Sequence, residues 1–366
     1  MLRGFTVGIT ADRRWDEQAA LFERRGATVL HGPSIRTLPL GSDGPLRAAT
    51  EALIRRPPAG LVANTGLGIR SWISAAETWG LGDQLIGALR GARIYARGPK
   101  ASGAVHSAGL EVAAKAPSER LAEAVDAALE DLPAGSFVAV QIDGSGDTPE
   151  IERMRAAGAE VLPVPVYEWK LPDDPRPALR LAEAVAGGRV HAVTFTAGPA
   201  VRNWLAIAGE HGLDGPLLAA LNDEVVVGCV GPVCAEVAVR EGIGEDQLVV
   251  PAAYRLGPLV RAVSDRLVTR SVRICLDGHD VTLSGTHLRI DDDVQDLTDT
   301  EARLLAVLAD RPNVVWAKQD LAVNVWRDAD TDPHAVEVAV ARLRRRLGPV
   351  ASALASVHRR GYVLRP

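Results

Sequence analysis

The sequence predicts a two-lobed α/β body, each lobe built on a parallel sheet, followed by a C-terminal winged helix-turn-helix. Three observations carry that expectation. Short apolar runs alternate with helical patterns through most of the chain. The motifs at the turns between them recur at nearly constant spacing. From residue 267 the pattern changes to a hairpin, three helices and a second hairpin, ending in a run of arginines.

The totals set the bounds. The chain has 366 residues, room for two or three domains with full cores. Its formal charge is −5, so any contact with nucleic acid must come from local basic charge. Lysine occurs only at positions 100, 115, 170 and 318, and arginine supplies the rest of the positive charge. Cys229, Cys234 and Cys275 form neither a disulfide framework nor a zinc-ligand spacing. No cofactor and no metal are expected. The apolar run before the charges of MLRGFTVGITADRR is too short for a signal peptide. No stretch reaches the roughly 18 apolar residues of a membrane span. A cytoplasmic protein without membrane contact is expected.

Along the body, FTVGIT (5–10), GLVANT (60–65), ARIYAR (92–97), SFVAVQI (136–142), HAVTFT (191–196) and EVVVGC (224–229) read as buried strands. Segments 117–131 and 149–157 read as helices between them. PVPVYEWKLPDDP (163–175) carries four prolines and is expected to be extended, crossing between lobes with Tyr167 at the hinge.

Three pairs of segments match at nearly one offset: RRGATVL with AAGAEVL, NTGLGIRSWI with TAGPAVRNWL, and ARGPKASGAVHSAG with CVGPVCAEVAVREG. One match is chance; three in register predict duplicated lobes. The matched segments fall at strand-to-helix turns, where open parallel sheets bind ligands. A Gly-Pro step merely starts a helix, or it leaves first-turn N–H groups free for an anion. On the second reading the candidate ligand residues are Thr65, Gly66, Arg97, Gly98 and Lys100, together with Arg13, Thr196, Ala197, Gly198 and Gly231. A polycarboxylate or phosphate suits such turns.

The C-terminal segment opens with VRICLDGHDVTL (272–283), a hairpin around Asp277-Gly278. LTDTEARLLAVLADRP has Thr298 and Glu301 at capping-box spacing. A short helix carries DLAVNVW (320–326). DPHAVEVAVARLRRRLG has Asp332 as N-cap, Pro333 at the first position and Gly348 as terminator. At about 100° per residue, Val336, Val340, Leu343 and Leu347 share a core face with Ala339 beside it. Val338, Ala341, Arg342 and Arg345 point away, with Arg344 and Arg346 on the flanks. After Glu337 no acidic residue follows. Such a face is solvated and self-repelling, or it meets a polyanion. With His358, Arg359 and Arg360 in the final hairpin, double-stranded DNA is the expected partner.

TFTAGPAV (194–201), the Gly-Pro steps at 98–99 and 231–232, and VLPVPVYEW (161–169) resemble uroporphyrinogen-III synthase, which closes linear hydroxymethylbilane. The resemblance covers about 4–266. It implies one lobe of 1–38 plus 171–266 and a second of 39–170, with a ligand cleft and Tyr167 as the hinge tyrosine that assists ring closure. A packed linker tyrosine is the other reading of Tyr167. Where the family often has Thr-Ser, this chain has Thr65-Gly66 and Thr196-Ala197. Each absent hydrogen bond to a charged group costs about 1.5–3 kcal/mol.

The pattern LTxxExxLL (297–305), Val325-Trp326, Val338 to Leu347, and Gly361-Tyr362 resembles the DNA-binding effector domain of two-component response regulators. That resemblance spans roughly 270–366, and the domain is taken as 267–366. It implies a recognition helix in the major groove, with Val338 against a thymine methyl and Arg342 and Arg345 on phosphates or base edges. It places His358 at the usual wing arginine, and Ala339 and Ala341 where polar residues are common. No receiver domain is apparent. Together the resemblances imply a transcription regulator whose non-catalytic body senses a tetrapyrrole or small anion. Homodimerisation and a co-regulator are expected with it. The alternative is an active synthase with a DNA-binding tail. Fusions of this layout are associated with nitrate and nitrite assimilation, and nitrite reductase uses a haem made from uroporphyrinogen III.

Overall fold

The computed structural model describes residues 1–39, 44–142, 148–327 and 331–366. The chain divides into two compact units, 1–35 with 172–366, and 36–171.

In the unit 36–171, five parallel strands lie in the order Ala114–Lys115, Arg93–Ala96, Gly60–Ala63, Phe137–Ile142, Glu160–Pro165. Leu61, Val62, Ala139 and Val140 are fully buried, as strands covered on both faces by helices must be. Trp72, on the helix Gly66–Thr78, is fully buried and donates its indole N–H to Thr50 Oγ1 at 2.8 Å. The strand order reverses between Gly60–Ala63 and Phe137–Ile142, which puts the topological switch point after Ala63.

The unit containing both termini has the same plan. Its strands run Leu248–Val249, Val226–Cys229, Ala192–Phe195, Thr6–Ile9, Thr28–His31, all parallel. The last two come from the start of the chain and correspond to Phe137–Ile142 and Glu160–Pro165. The repeat read in the sequence is therefore a repeat of lobes. Its matched glycines have matched backbones: Gly26 and Gly158 have φ +93° and +89°, and Gly109 and Gly242 +71° and +91°. Each ends a helix in the left-handed region that a side chain disfavours.

The proline-rich segment is extended only as far as Lys170. Tyr167–Lys170 pairs antiparallel with Arg36–Pro39, in the register Thr37 to Trp169. At the second Asp of PDDP the chain turns: Asp174 Oδ1 accepts the Arg176 N–H, and a helix starts at Arg176.

Beyond the body's last helix, Leu256–Thr269, a four-stranded antiparallel meander runs through Val272–Leu276, His279–Ser284, His287–Ile290 and Asp293–Asp296. Only the first hairpin was expected. Asp277 and Gly278 have φ +49° and +85°, so both central residues of the turn are left-handed, as a twist-matched two-residue hairpin needs. The helix Asp299–Asp310 follows, with the Thr298/Glu301 capping box formed. Lys318–Leu321 continues into a widened turn at Ala322–Trp326, then the helix Pro333–Leu347 and the hairpin Leu354–Val357/Gly361–Leu364. Leu304, Leu308, Leu321, Val336, Val340, Leu343 and Leu364 form one buried core. This is a winged helix-turn-helix, as the sequence predicts.

Candidate functional site

The ligand-turn residues fall on both units, and each set is built at the carboxyl edge of its own sheet. In 36–171, Thr65 caps the helix Gly66–Thr78: its Oγ1 accepts the Gly68 N–H at 3.0 Å. Its own N–H donates to Gln141 Oε1 at 2.8 Å, across the switch point. A Cβ at Gly66 would overlap the Lys100 carbonyl, so glycine permits the first turns of two helices to meet there. The departure from Thr-Ser at this position goes with that close approach. Gly98 and Pro99 start the second helix. Arg97 is committed to its own lobe, donating to Glu119 O and Asn64 Oδ1, both at 2.9 Å. Lys100 is exposed on the rim.

In the other unit, Thr196 and Ala197 precede the helix Gly198–Gly209, and Gly231 precedes Pro232–Arg240. The two helices pack closely, since a Cβ at Gly198 would lie 2.7 Å from Val237 Cγ2. Arg13 is exposed in the turn after Thr6–Ile9, the strand beside this switch point. The sequence reading missed two features here. Buried Gln18 donates to Thr194 Oγ1 at 3.0 Å, and exposed Trp15 stacks on His31 with ring centroids 4.0 Å apart.

Tyr167 is only 6 % exposed and belongs to the core of 36–171, with its ring 5.6 Å from Trp169. Among the described residues no group of three His, Cys, Asp or Glu side chains is placed to hold a metal ion.

On the helix Pro333–Leu347 the buried face is Val336, Ala339, Val340, Leu343 and Leu347. Val338 is half-buried, and Ala341, Arg342 and Arg345 are exposed. Arg342 and Arg345 have no hydrogen-bond or ion-pair partner among the described residues. The other two arginines differ. Arg344 donates Nε to Leu354 O and Nη2 to Ser356 Oγ, both at 2.8 Å, and its guanidinium sits 5.8 Å from the Tyr362 ring centroid. It ties the helix to the wing and is not an open cation. Arg346 is half-exposed, with Nε 4.0 Å from Glu301 Oε2. His358, Arg359 and Arg360 form the exposed tip of the wing. Arg359 has φ +58°.

His334, four residues before Val338 on the same face, is also exposed and was not singled out from the sequence; that spacing was the available signal. Its Nδ1 lies 3.5 Å from Glu337 Oε2, and Lys318 pairs with the same carboxylate. The Lys318 ammonium, then His334, hold the Glu337 carboxyl below its ordinary pKa. The lone acid on this helix is thereby neutralised by its neighbours.

Geometry defines the class: a two-lobed parallel α/β body carrying a winged helix-turn-helix with an open cationic face. Residues 16–261 match the family described as uroporphyrinogen-III synthase HemD, and the chain belongs to that family. Residues 292–364 match the C-terminal domain of transcriptional regulatory proteins. A mutant uroporphyrinogen III synthase from the extremely thermophilic bacterium Thermus thermophilus is 30 % identical, with a TM-score of 0.59, over 73 % of this chain and all of that one. The uncharacterized protein YjjA of Bacillus subtilis (strain 168) is 25 % identical over 71 % of this chain and 94 % of its own length. The DNA-binding domain of E. coli CadC is 26 % identical over 26 % of this chain and 94 % of that domain, with a TM-score of 0.24. The chain thus fuses a response-regulator-type DNA-binding domain to a HemD-like body.

Proposed function

We propose that this protein is a sequence-selective transcription regulator whose synthase-like body senses a ligand and does not catalyse ring closure. One observation carries the DNA-binding half: Arg342 and Arg345 stand exposed, with no partner among the described residues, on the face of the recognition helix that also bears Val338 and Ala341. A polyanion supplies the missing counter-charge, and base edges supply selectivity. Arg359 and Arg360 of the wing add backbone contacts. The body's ligand is a tetrapyrrole or a small anion, and the helix-starting turns at Thr65–Gly66 and at Thr196–Gly198 are each a candidate place for it within their own unit. Nitrite- and nitrate-assimilation promoters are the proposed targets, read by a homodimer on repeated half-sites with a co-regulator, in the cytoplasm. No helix among the described residues is long and apolar enough to cross a membrane.

Selection from a random duplex library tests the reading. Recovery of one motif by the wild type, and not by Arg342→Ala/Arg345→Ala, is the expected result. Recovery of random sequence by both contradicts it.

Family membership keeps a second reading in view, an active synthase with a DNA-binding tail. The burial of Tyr167 and the crowding at Gly66 count against it. Incubation with hydroxymethylbilane, scored for the type III isomer, decides. Absence of that isomer is expected, and its formation at enzymatic rates, lost in Tyr167→Phe, establishes the second reading.

A further inference from the structure

Within the unit that contains both termini, one seam between the body and the winged domain is built around Glu224. Glu224 closes the helix Asp214–Asp223 of the body. Three arginines of later segments converge on it. Arg270, at the end of the body's last helix, donates to the Glu224 carbonyl. Arg327, which follows the widened turn Ala322–Trp326, places Nη2 2.8 Å from Glu224 Oε2. That contact is coulombic, not an aligned hydrogen bond. Arg303, on the first helix of the winged domain, places Nη2 3.9 Å from the same oxygen. The Arg303 side chain is only 14 % exposed, so its charge needs these partners.

The same arginines cap a helix of the body. The helix Arg176–Ala186 ends with free carbonyls at its negative pole. Arg327 Nη1 donates to Ala186 O at 3.2 Å, and Arg303 Nη2 to Gly187 O at 3.3 Å. Gly188 follows with φ +68°, and a Cβ there would overlap the Arg303 guanidinium. Arg303 Nη1 also donates to Val325 O at 2.8 Å, inside the winged helix. One side chain therefore bonds the body and the end of the helix preceding the recognition helix. A second seam supports it: Gly4 O accepts both the Thr286 N–H and its hydroxyl, and a Cβ at Gly4 or Gly285 would overlap the backbone across the seam.

The helix capped by these arginines is also tied to a candidate ligand turn. Trp204, on the helix that starts at Gly198, is fully buried and donates its indole N–H to Ala178 O at 2.9 Å. Ala178 belongs to Arg176–Ala186. The contacts thus run from the turn at Thr196–Gly198, through Trp204 and Arg176–Ala186, to Arg303 and Val325. Arg342 and Arg345 remain exposed in this docked arrangement.

We infer that the winged helix is regulated through this dock: Glu224 and the carbonyl end of Arg176–Ala186 hold Arg303 and Arg327, and displacement at the body's ligand turn reaches the recognition helix through Arg303. The inference rests on the regulator reading for its purpose, but not for its mechanics. The docked state is the DNA-competent one.

Hydrogen exchange of the full-length chain, read by mass spectrometry, tests it with Glu224→Gln/Arg327→Ala. Exchange is expected to rise about tenfold together at 184–189 and 322–327, with the sheet strands unchanged. Arg303→Lys keeps the charge but cannot make both carbonyl bonds, and it is expected to act in the same direction. Trp204→Phe removes the indole bond, and it is expected to raise exchange at 322–327 in the wild-type background and not in Glu224→Gln/Arg327→Ala. Unchanged exchange in the undocked variants, or an equal Trp204→Phe effect in both backgrounds, overturns the proposal. On a duplex from the protein's own promoter, Trp204→Phe is expected to shift Kd about threefold in the docked background only. If the wild type shows no selective binding while the exchange results hold, the regulator reading fails and the dock stands.

Discussion

Arg342 and Arg344 lie two residues apart and do different things. The helical period placed Arg342 outward and Arg344 on a flank, and that much was legible. The partners of Arg344 were not, because Leu354 and Ser356 reach it only when the final hairpin folds back. Arg344→Ala is expected to destabilise the winged domain by about 1–3 kcal/mol, seen as a lower denaturant midpoint, while leaving the salt dependence of DNA binding nearly unchanged. Gly66 gives a second residue-scale case. The sequence shows a serine missing; the structure shows the Lys100 carbonyl where a Cβ would stand. Gly66→Ser is expected to cost about 1–3 kcal/mol in thermal unfolding, since it must displace the Lys100 backbone. His191 sets a pH dependence. Burial lowers its pKa, the nearby Asp299 charge partly opposes this, and its Nδ1 accepts the Thr6 N–H, which requires the neutral ring. The folded state therefore resists protonation. Stability is full above about pH 6.5 and falls as pH drops below it, by up to about 1.4 kcal/mol per pH unit for this one group. Thermal unfolding at pH 5 and 7.5 checks the sign. His191→Asn, whose amide oxygen can still accept from Thr6, flattens the slope.

At the scale of elements, legibility followed length and local chemistry. The capping box of Thr298 and Glu301 and the Asp277-Gly278 turn are local devices and were read correctly. Thr298→Ala is expected to lower stability by about 0.5–2 kcal/mol, checked by the melting temperature. The strands His287–Ile290 and Asp293–Asp296 were missed because HLRI is four residues and DVQD is polar; pairing with the preceding hairpin, not their own pattern, makes them strands. Thr28–His31 was missed for the same reason, although its neighbour Gly26 marked the repeat. The widened turn at Ala322–Trp326 has no local sequence signal; its Val325 carbonyl accepts from Arg303, a contact that the segment's own pattern does not show.

Across the whole molecule, the sequence announced two kinds of chain, and the structure adds how the unit with both termini holds them together. Duplication could be read because the matched glycines are backbone requirements. Glu224 as the meeting point could not, because its three arginine partners lie 46, 79 and 103 residues away in sequence (positions 270, 303 and 327). DNA reading by the open arginine face is measured as the affinity of the full-length protein for a duplex from its own promoter across a salt series, beside Arg342→Ala/Arg345→Ala. Selective binding is expected, with a log–log salt slope that becomes shallower by about 2 in the variant, at about 0.9 per phosphate contact, and with selectivity lost. The same affinity and slope in both proteins would contradict it.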